Sequence, residues 1–135
     1  MIGIIIVTHG NLALELKSAM EHILGAQKNI EVICISSDDD LDERKKDIEG
    51  SIKKIGNNNG IVMLTDMFGG TPSNLAISFL KTGKIEIISG VNLPMLVKLI
   101  GLRDSNDFNG VVQETKDSAQ KYISIASEIL SENNK

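Results

Sequence analysis

The chain has 135 residues, a length typical of one domain, and 41% of them are hydrophobic, which is enough for a single buried core. Its net charge of −4 comes from 14 basic and 18 acidic residues, so it lacks the positive surface with which proteins bind nucleic acids or anionic membranes. One cysteine excludes an internal disulfide, and we recognise neither a leader sequence nor a membrane-spanning stretch. We therefore expect a cytoplasmic protein that needs no metal or cofactor.

The first half of the sequence predicts two strands, each followed by a helix. Residues 2–7, "IGIIIV", form a continuous apolar run typical of a strand buried on both faces. Apolar residues three or four positions apart then predict a helix, with Asn11 as its cap and Gly25 as its end. A second strand is predicted in "NIEVICIS". The carboxylates of "SDDD" suit the N-terminus of the helix that follows it.

The second half continues the same alternation. After a third strand in "NNNGIVMLTD", the segment "TPSNLAISFLKTG" predicts a helix with Thr71 as cap, Pro72 at the first helical position and Gly83 beyond its end. "KIEIISG" predicts a fourth strand and "NLPMLVKLIG" a short helix. From Ala119 onward the apolar spacing fits a helix, but "YISI" also fits a strand, so both alternatives stay open.

This alternation predicts a single α/β domain over residues 1–135: a doubly wound, mostly parallel sheet with helices on both faces. We predict the strand order 2-1-3-4, with a possible extra antiparallel strand at the C-terminus. In such sheets ligands bind at the carboxyl ends of the strands, where the strand order reverses. The first strand ends in "THG" and the third in "TD", so the site is predicted there.

Two side chains at this edge, His9 and Asp66, are the predicted catalytic residues. Adjacent strands lie about 4.8 Å apart, so side chains that leave neighbouring strand ends can meet. A carboxylate that accepts one ring N–H of a histidine leaves the other ring nitrogen free as a nucleophile. His22, near the end of the first helix, is predicted to have no catalytic role.

The residues around this pair predict a phosphate site. Two glycines precede a helix start, where free N–H groups and neighbouring hydroxyls can hold phosphate oxygens. Together with residues beside the histidine, the predicted phosphate-binding set is Thr8, Gly10, Gly69, Gly70, Thr71 and Ser73. We therefore predict phosphoryl transfer to His9. Because the sequence has no lysine-bearing phosphate loop, the expected donor is another phosphorylated protein.

At these residues the sequence resembles a known family, the IIA domains of the mannose-type sugar phosphotransferase system (PTS). The matching segments are "IIIVTHG", "VMLTDMFGGTPSN" and "ISGVNLPML", in the same order over essentially the whole chain. The resemblance implies that His9 accepts a phosphoryl group from the phosphohistidine of the carrier HPr and passes it to a IIB domain, while Asp66 orients the histidine. The imported sugar would be phosphorylated downstream, with the membrane permease subunits involved only indirectly.

The resemblance also implies a homodimer, and in that family the C-terminal segment is commonly an antiparallel strand exchanged between subunits. The ambiguity from Ala119 onward leaves such an exchange open. No Pro- or Ala-rich linker follows the domain, so we expect the next acceptor to be a separate IIB subunit.

Three other functions are compatible with parts of the sequence. The phosphotransfer subunit that serves dihydroxyacetone kinase also has a histidine after its first strand, but its third-strand region resembles "GGTPSN" poorly. A response-regulator receiver would need an acidic cluster after the first strand, where this sequence has "THG". A non-catalytic module could bind a phosphorylated metabolite at "GGTPS" without covalent chemistry.

Overall fold

A computed structural model describes residues 1–56 and 58–133. The strands in this part of the chain are β1 (Gly3–His9), β2 (Ile30–Ile35), β3 (Ile61–Thr65) and β4 (Ile85–Ser89). The helices are α1 (Leu12–Leu24), α2 (Leu41–Ile55), α3 (Thr71–Ile77), α4 (Leu93–Leu102), α5 (Phe108–Lys121) and α6 (Ala126–Asn133).

The four strands form one parallel sheet in the order β2-β1-β3-β4, which confirms the predicted order. Val7 of β1 lies opposite Thr65 of β3, and His9 lies opposite Ile35 of β2. β1 therefore runs two residues beyond its last pair with β3, and it carries His9 to the carboxyl edge of the sheet.

Helices cover both faces of the sheet, as predicted. Side chains alternate along β1, so Ile4 and Ile6 belong to a core with α1, α4 and α5, whereas Ile5 and Val7 belong to a second core with α2 and α3. All four side chains are fully buried. A continuous apolar run is what a strand buried on both faces requires.

The start of α1 differs from the prediction. Asn11 occupies the cap position, but its side chain makes no capping hydrogen bond. Instead, the N–H of Ala13 donates to Oγ1 of the buried Thr8, at 2.7 Å. The helix ends as predicted, before Gly25 with a φ of 84°. Asp40 caps α2 by accepting the N–H of Asp42, in agreement with the reading of "SDDD".

The bounds of α3 also differ from the prediction. Thr71 is the first helical residue rather than the cap, Gly70 takes the cap position, and Pro72 follows in the first turn. The helix ends at Ile77, earlier than predicted, and Gly83 lies in the turn that leads into β4.

The C-terminal segment is helical. A short connection after Lys121 separates α5 from α6, and the "YISI" segment, residues 122–125, forms no strand. The possible extra antiparallel strand is therefore absent from the residues that the structure describes. Ile129 and Leu130 of α6 remain exposed. Within the same residues, no helix has the length and apolar character needed to cross a membrane.

A buried arginine ties the opposite end of β1 in place. Nε and Nη2 of Arg103 donate to the carbonyl of Ile2 at 2.9 and 2.8 Å, and Nη2 also donates to the carbonyl of Asn29 at 3.0 Å. The N–H of Ile2 donates in return to the carbonyl of Arg103. Burial lowers the pKa of Arg103, while the charge of Asp104 acts against this shift. These bonds join the start of β1 to the end of α4.

Candidate active site

The structure brings His9 and Asp66 together, as the strand order requires. Nδ1 of His9 lies 2.8 Å from Oδ2 of Asp66, and the same oxygen accepts the backbone N–H of His9 at 2.9 Å. The other carboxylate oxygen accepts the N–H of Met67 at 3.0 Å. The His9 side chain is 51% exposed, whereas that of Asp66 is 14% exposed. The imidazole is thus fixed from the protein side and open to solvent.

Opposing effects act on the Asp66 carboxyl group. Partial burial raises its pKa, but hydrogen bonds from the backbone and ring of His9, the charge of His9, and the N–H of Met67 together lower it below its ordinary value. Asp66 is therefore a carboxylate near neutral pH, and a carboxylate can only accept hydrogen bonds. The proton between the two side chains consequently belongs to Nδ1, which leaves Nε2 of the neutral ring without one.

The two glycines after Asp66 are required for different structural reasons. Gly69 has a φ of 92°, a conformation that side chains rarely adopt. Gly70 has an ordinary φ of −90°, but a Cβ atom at this position would lie 2.7 Å from Cε1 and 3.2 Å from Nε2 of His9. The backbone of Gly70 therefore packs against the free nitrogen of the ring, and any larger residue would displace the imidazole.

The start of α3 provides unused hydrogen-bond donors beside this ring. Among the described residues, the N–H groups of Gly70, Thr71 and Ser73 find no acceptor. The Ser73 side chain is fully buried, and its Oγ likewise has no partner within this part of the chain. These groups lie at the start of α3, where Gly70 approaches the ring of His9.

Two residues of the predicted phosphate set have other contacts. The hydroxyl of Thr8 is buried and accepts the Ala13 N–H, so it stabilises the start of α1. Gly10 borders the cavity beside His9, but its N–H donates to the carbonyl of Ile35 at 2.8 Å. Its φ of 55° explains why glycine follows the histidine. We therefore leave Thr8 out of the proposed phosphate site and assign Gly10 no donor there.

The cavity beside His9 has a volume of about 570 Å³, and some of the residues that line it are not among the predicted site residues. Ser36, Ser37 and Asp39 from the β2–α2 connection line it, together with Leu41 at the start of α2 and Thr71. The predicted strand order could have identified these residues. Because β2 lies next to β1 in a parallel sheet, the residues that follow β2 lie at the same edge as His9. The sequence pattern of "SDDD" predicts only the helix start.

No group of three or more His, Cys, Asp or Glu side chains among the described residues could hold a metal ion. His22, the other histidine of the sequence, is exposed in the last turn of α1. Together, these features define an α/β protein that presents one oriented, exposed histidine at the carboxyl edge of a parallel sheet.

Comparison with known proteins gives the family. Residues 3–116 match the model of the EIIA-man family, described as "PTS system fructose IIA component". The chain is 28% identical to a fructose-specific EIIA component of the PTS from Bacillus subtilis (strain 168), over 96% of this chain and 90% of the relative. It is also 32% identical to the mannose-specific EIIAB component of Escherichia coli (strain K12), over 78% of this chain and 33% of that longer protein.

Solved structures agree with this assignment. The crystal structure of PTS component EIIA from Streptococcus agalactiae superposes with a TM-score of 0.85 at 28% identity, covering 95% of this chain and 99% of that one. The chain belongs to the mannose-type family of PTS IIA components.

Proposed function

We propose that this protein is a phosphoryl carrier of a bacterial sugar phosphotransferase system, acting through a phosphohistidine. It accepts a phosphoryl group from phospho-HPr on His9 and passes it to a separate IIB subunit, which serves sugar uptake and phosphorylation. The proposal assigns His9 as nucleophile and Asp66 as the residue that orients it. Both exchanges would take place in the cytoplasm, and the membrane permease subunits would be reached only through the IIB subunit.

The observation that carries this proposal is the state of the imidazole. Nδ1 is bonded to the Asp66 carboxylate, so the lone pair of the exposed ring is on Nε2. In the proposed step Nε2 attacks the phosphorus atom in line. The P–N bond of the donor phosphohistidine breaks, its electron pair stays on the donor nitrogen, and a new P–N bond forms at Nε2. The reverse sequence of events delivers the group to the IIB subunit.

Electrostatics support the same step. Attack through Nε2 places positive charge on the imidazole, and the adjacent carboxylate of Asp66 stabilises that charge. The N–H groups of Gly70, Thr71 and Ser73, which have no acceptor among the described residues, can donate hydrogen bonds to phosphoryl oxygens, and Gly70 lies next to the ring of His9. Gly69 contributes by its conformation, which brings the chain round from Asp66 to the helix start.

The test is the intact mass of the purified protein after incubation with phosphoenolpyruvate, enzyme I and HPr. We expect one acid-labile phosphoryl group on the native protein and on His22→Ala, and none on His9→Ala. An adduct that persists in His9→Ala would refute the assignment of the nucleophile.

A non-catalytic module that binds a phosphorylated metabolite is the competing function. It predicts no covalent adduct and phosphate binding that survives His9→Ala. The half-exposed imidazole, with Nδ1 bonded to Asp66 and Nε2 left free, favours the covalent carrier, because non-covalent binding has no need of a nucleophilic nitrogen.

We further propose that the protein is a homodimer, as its family resemblance implies. β4 is an edge strand of the sheet in the described part of the chain, and apolar side chains after α5 are exposed; both features support this proposal, because a second subunit could cover them.

A further inference from the structure

The methionines of the chain differ sharply in their access to solvent. Three of the five are buried in the two cores and are at most 2% exposed: Met20, Met63 and Met95. Met67 is 56% exposed, and Met1, which precedes β1, is 43% exposed. A thioether that solvent reaches is open to oxidants, whereas a thioether packed in a core is shielded from them. Exposure therefore singles out Met67 and Met1.

Met67, unlike Met1, lies beside the imidazole of His9. Its backbone N–H donates to Oδ1 of Asp66 at 3.0 Å. Its Cγ lies 3.7 Å from the point that a Cβ on Gly70 would occupy, and the same point is 2.7 Å from Cε1 and 3.2 Å from Nε2 of His9. The Met67 side chain and the free nitrogen of the ring therefore border the same small space.

Oxidation of Met67 would change what this space contains. Hydrogen peroxide converts a thioether to a sulfoxide: a lone pair of Sδ attacks one peroxide oxygen, and the O–O bond breaks. Sulfur is oxidised, while the second peroxide oxygen takes up the proton of the first and leaves as water. The product carries a polar oxygen on the sulfur atom that is bonded to Cγ, and this oxygen bears partial negative charge and accepts hydrogen bonds.

We propose that Met67 is a modification site for peroxide, and that its sulfoxide slows phosphoryl transfer to His9. The sulfoxide oxygen would repel phosphoryl oxygens, which carry charge of the same sign, as they approach Nε2. It would also compete with them for the N–H groups of Gly70 and Thr71, which have no acceptor among the described residues. The effect on transfer rests on the proposed function, whereas the modification itself does not.

The first experiment locates the modification. The purified protein is treated with dilute hydrogen peroxide, and each methionine-containing peptide is followed by mass spectrometry. We expect Met67 to gain one oxygen atom roughly tenfold faster than the buried Met63 and Met95, with Met1 as the exposed reference outside the site. Equal rates at Met67 and Met63 would overturn the assignment.

The second experiment measures the effect on His9 with phosphoramidate, a donor that needs no partner protein. Its P–N bond breaks, the nitrogen leaves as ammonia, and a new P–N bond forms on the imidazole. His22, exposed in the last turn of α1, is the reference within the same sample. We expect oxidation to lower the rate of labelling at His9 relative to His22 by roughly tenfold. An unchanged ratio would overturn the inference.

Met67→Leu and Met20→Leu are the matched variants, and each is compared with itself before peroxide treatment. Leucine is close to methionine in volume but cannot form a sulfoxide. Peroxide should leave the ratio of His9 to His22 labelling unchanged in Met67→Leu and lower it in Met20→Leu, as in the native protein. An equal fall in both variants would show that another group is responsible.

Reversal identifies the oxidised group. Methionine sulfoxide reductases supplied with a thiol reductant should restore the labelling of His9. The thiol reductant alone, which reverses the sulfenic acid of an oxidised Cys34, should not, and recovery with the reductant alone would overturn the role of Met67.

These outcomes are distinct from those of the proposed function. If enzyme I and HPr transfer no phosphoryl group to the native protein, the proposed function fails. Phosphoramidate still measures in that case whether the sulfoxide of Met67 hinders the reaction of His9.

Discussion

At the scale of single residues, one oxygen atom of Asp66 holds His9 by both its backbone and its ring. The backbone bond fixes where the residue leaves β1, and the ring bond fixes how the imidazole is turned. The second oxygen is held by Met67, so the carboxylate itself has little freedom. Orientation of the His9 imidazole therefore depends on a single side chain.

Replacing Asp66 by Asn tests this dependence. The amide can present its one oxygen to His9 or to Met67 but not to both, so either the His9 ring or the Met67 N–H loses its acceptor. We expect phosphorylation by phospho-HPr to slow roughly a hundredfold while the far-ultraviolet circular dichroism spectrum stays native. Asp117→Asn, on the exposed face of α5, is the control. A native rate for Asp66→Asn would remove Asp66 from the mechanism.

The lowered pKa of Asp66 predicts how the free energy of unfolding changes at acidic pH. A carboxyl group with a lower pKa in the folded state stabilises the fold above the pKa of the unfolded chain, and this contribution disappears as the pH falls through the folded value. The native protein and Asp66→Asn should thus differ in unfolding free energy at neutral pH and converge below about pH 4. Urea titrations at several pH values measure this difference, and a constant gap down to pH 2 would contradict the lowered pKa of Asp66.

Gly70→Ala tests the contact on the other side of the ring. Because Gly70 has an ordinary φ, alanine adds only a Cβ atom that would overlap the imidazole. We expect roughly a hundredfold slower phosphorylation and a shifted ring signal of His9 in NMR spectra. Gly101→Ala in α4, whose Cβ would meet no atom within 4 Å, should leave both unchanged. Native kinetics in Gly70→Ala would mean that the ring moves aside without loss.

The sequence predicts the contact between His9 and Asp66 better than it predicts the surroundings of the pair. The strand order brings His9 and Asp66 to one edge, and that order follows from the rhythm of apolar runs. The close packing of Gly70 on the ring depends on three-dimensional distances that spacing along the chain does not encode. Ser36, Ser37 and Asp39 were overlooked at the site because a residue that suits a helix start can also border a cavity.

At the scale of the elements, the helix starts show how the site is supported. The sequence predicts where α1 and α3 lie, since apolar periodicity fixes the helix, but it does not identify the groups that cap them. Thr8 caps α1 from within β1 because the strand turns directly into the helix, and Gly70 precedes α3 because the ring of His9 allows no side chain there.

Thr8→Val tests the cap. Valine has nearly the same shape but cannot accept the N–H of Ala13, so the free energy of unfolding should fall by about 1 kcal/mol in urea titrations. Asn11→Ala, at the formal cap position, should change it by less than about 0.5 kcal/mol, since that side chain makes no capping bond. Equal losses for both variants would show that Thr8 does not cap the helix.

At the scale of the whole molecule, the sheet is well covered, whereas the C-terminal region leaves apolar side chains exposed. Both faces of the sheet are covered by helices, whereas α6 and the connection before it expose Tyr122, Ile123, Ile125, Ile129 and Leu130. The apolar spacing of this region fits both a helix and a strand. It does not distinguish them, because the secondary structure depends on the surface against which the apolar side chains pack. A second subunit is the surface that the family resemblance implies.

The proposed homodimer can be tested by light scattering. We expect a mass of twice 14.6 kDa for the native chain and 14.6 kDa less the deleted residues for a variant that ends at Lys121. The shortened chain keeps both cores, so its circular dichroism spectrum should remain that of a folded α/β protein. A dimer that survives the deletion would place the subunit contact elsewhere, and a monomeric native protein would refute the dimer.

The turn after β1 is held at three successive residues: the Thr8 hydroxyl bonds α1, the His9 backbone bonds Asp66, and the Gly10 backbone bonds β2. A turn so constrained has little reason to reshape when a phosphoryl group arrives. The phosphorylated and unphosphorylated forms of the protein should therefore have the same backbone conformation and differ in charge only at His9. The proposed donor and acceptor proteins would then distinguish the two forms by the negative charge of the phosphoryl group. Exchange of one partner for the next would not require a conformational change of this protein.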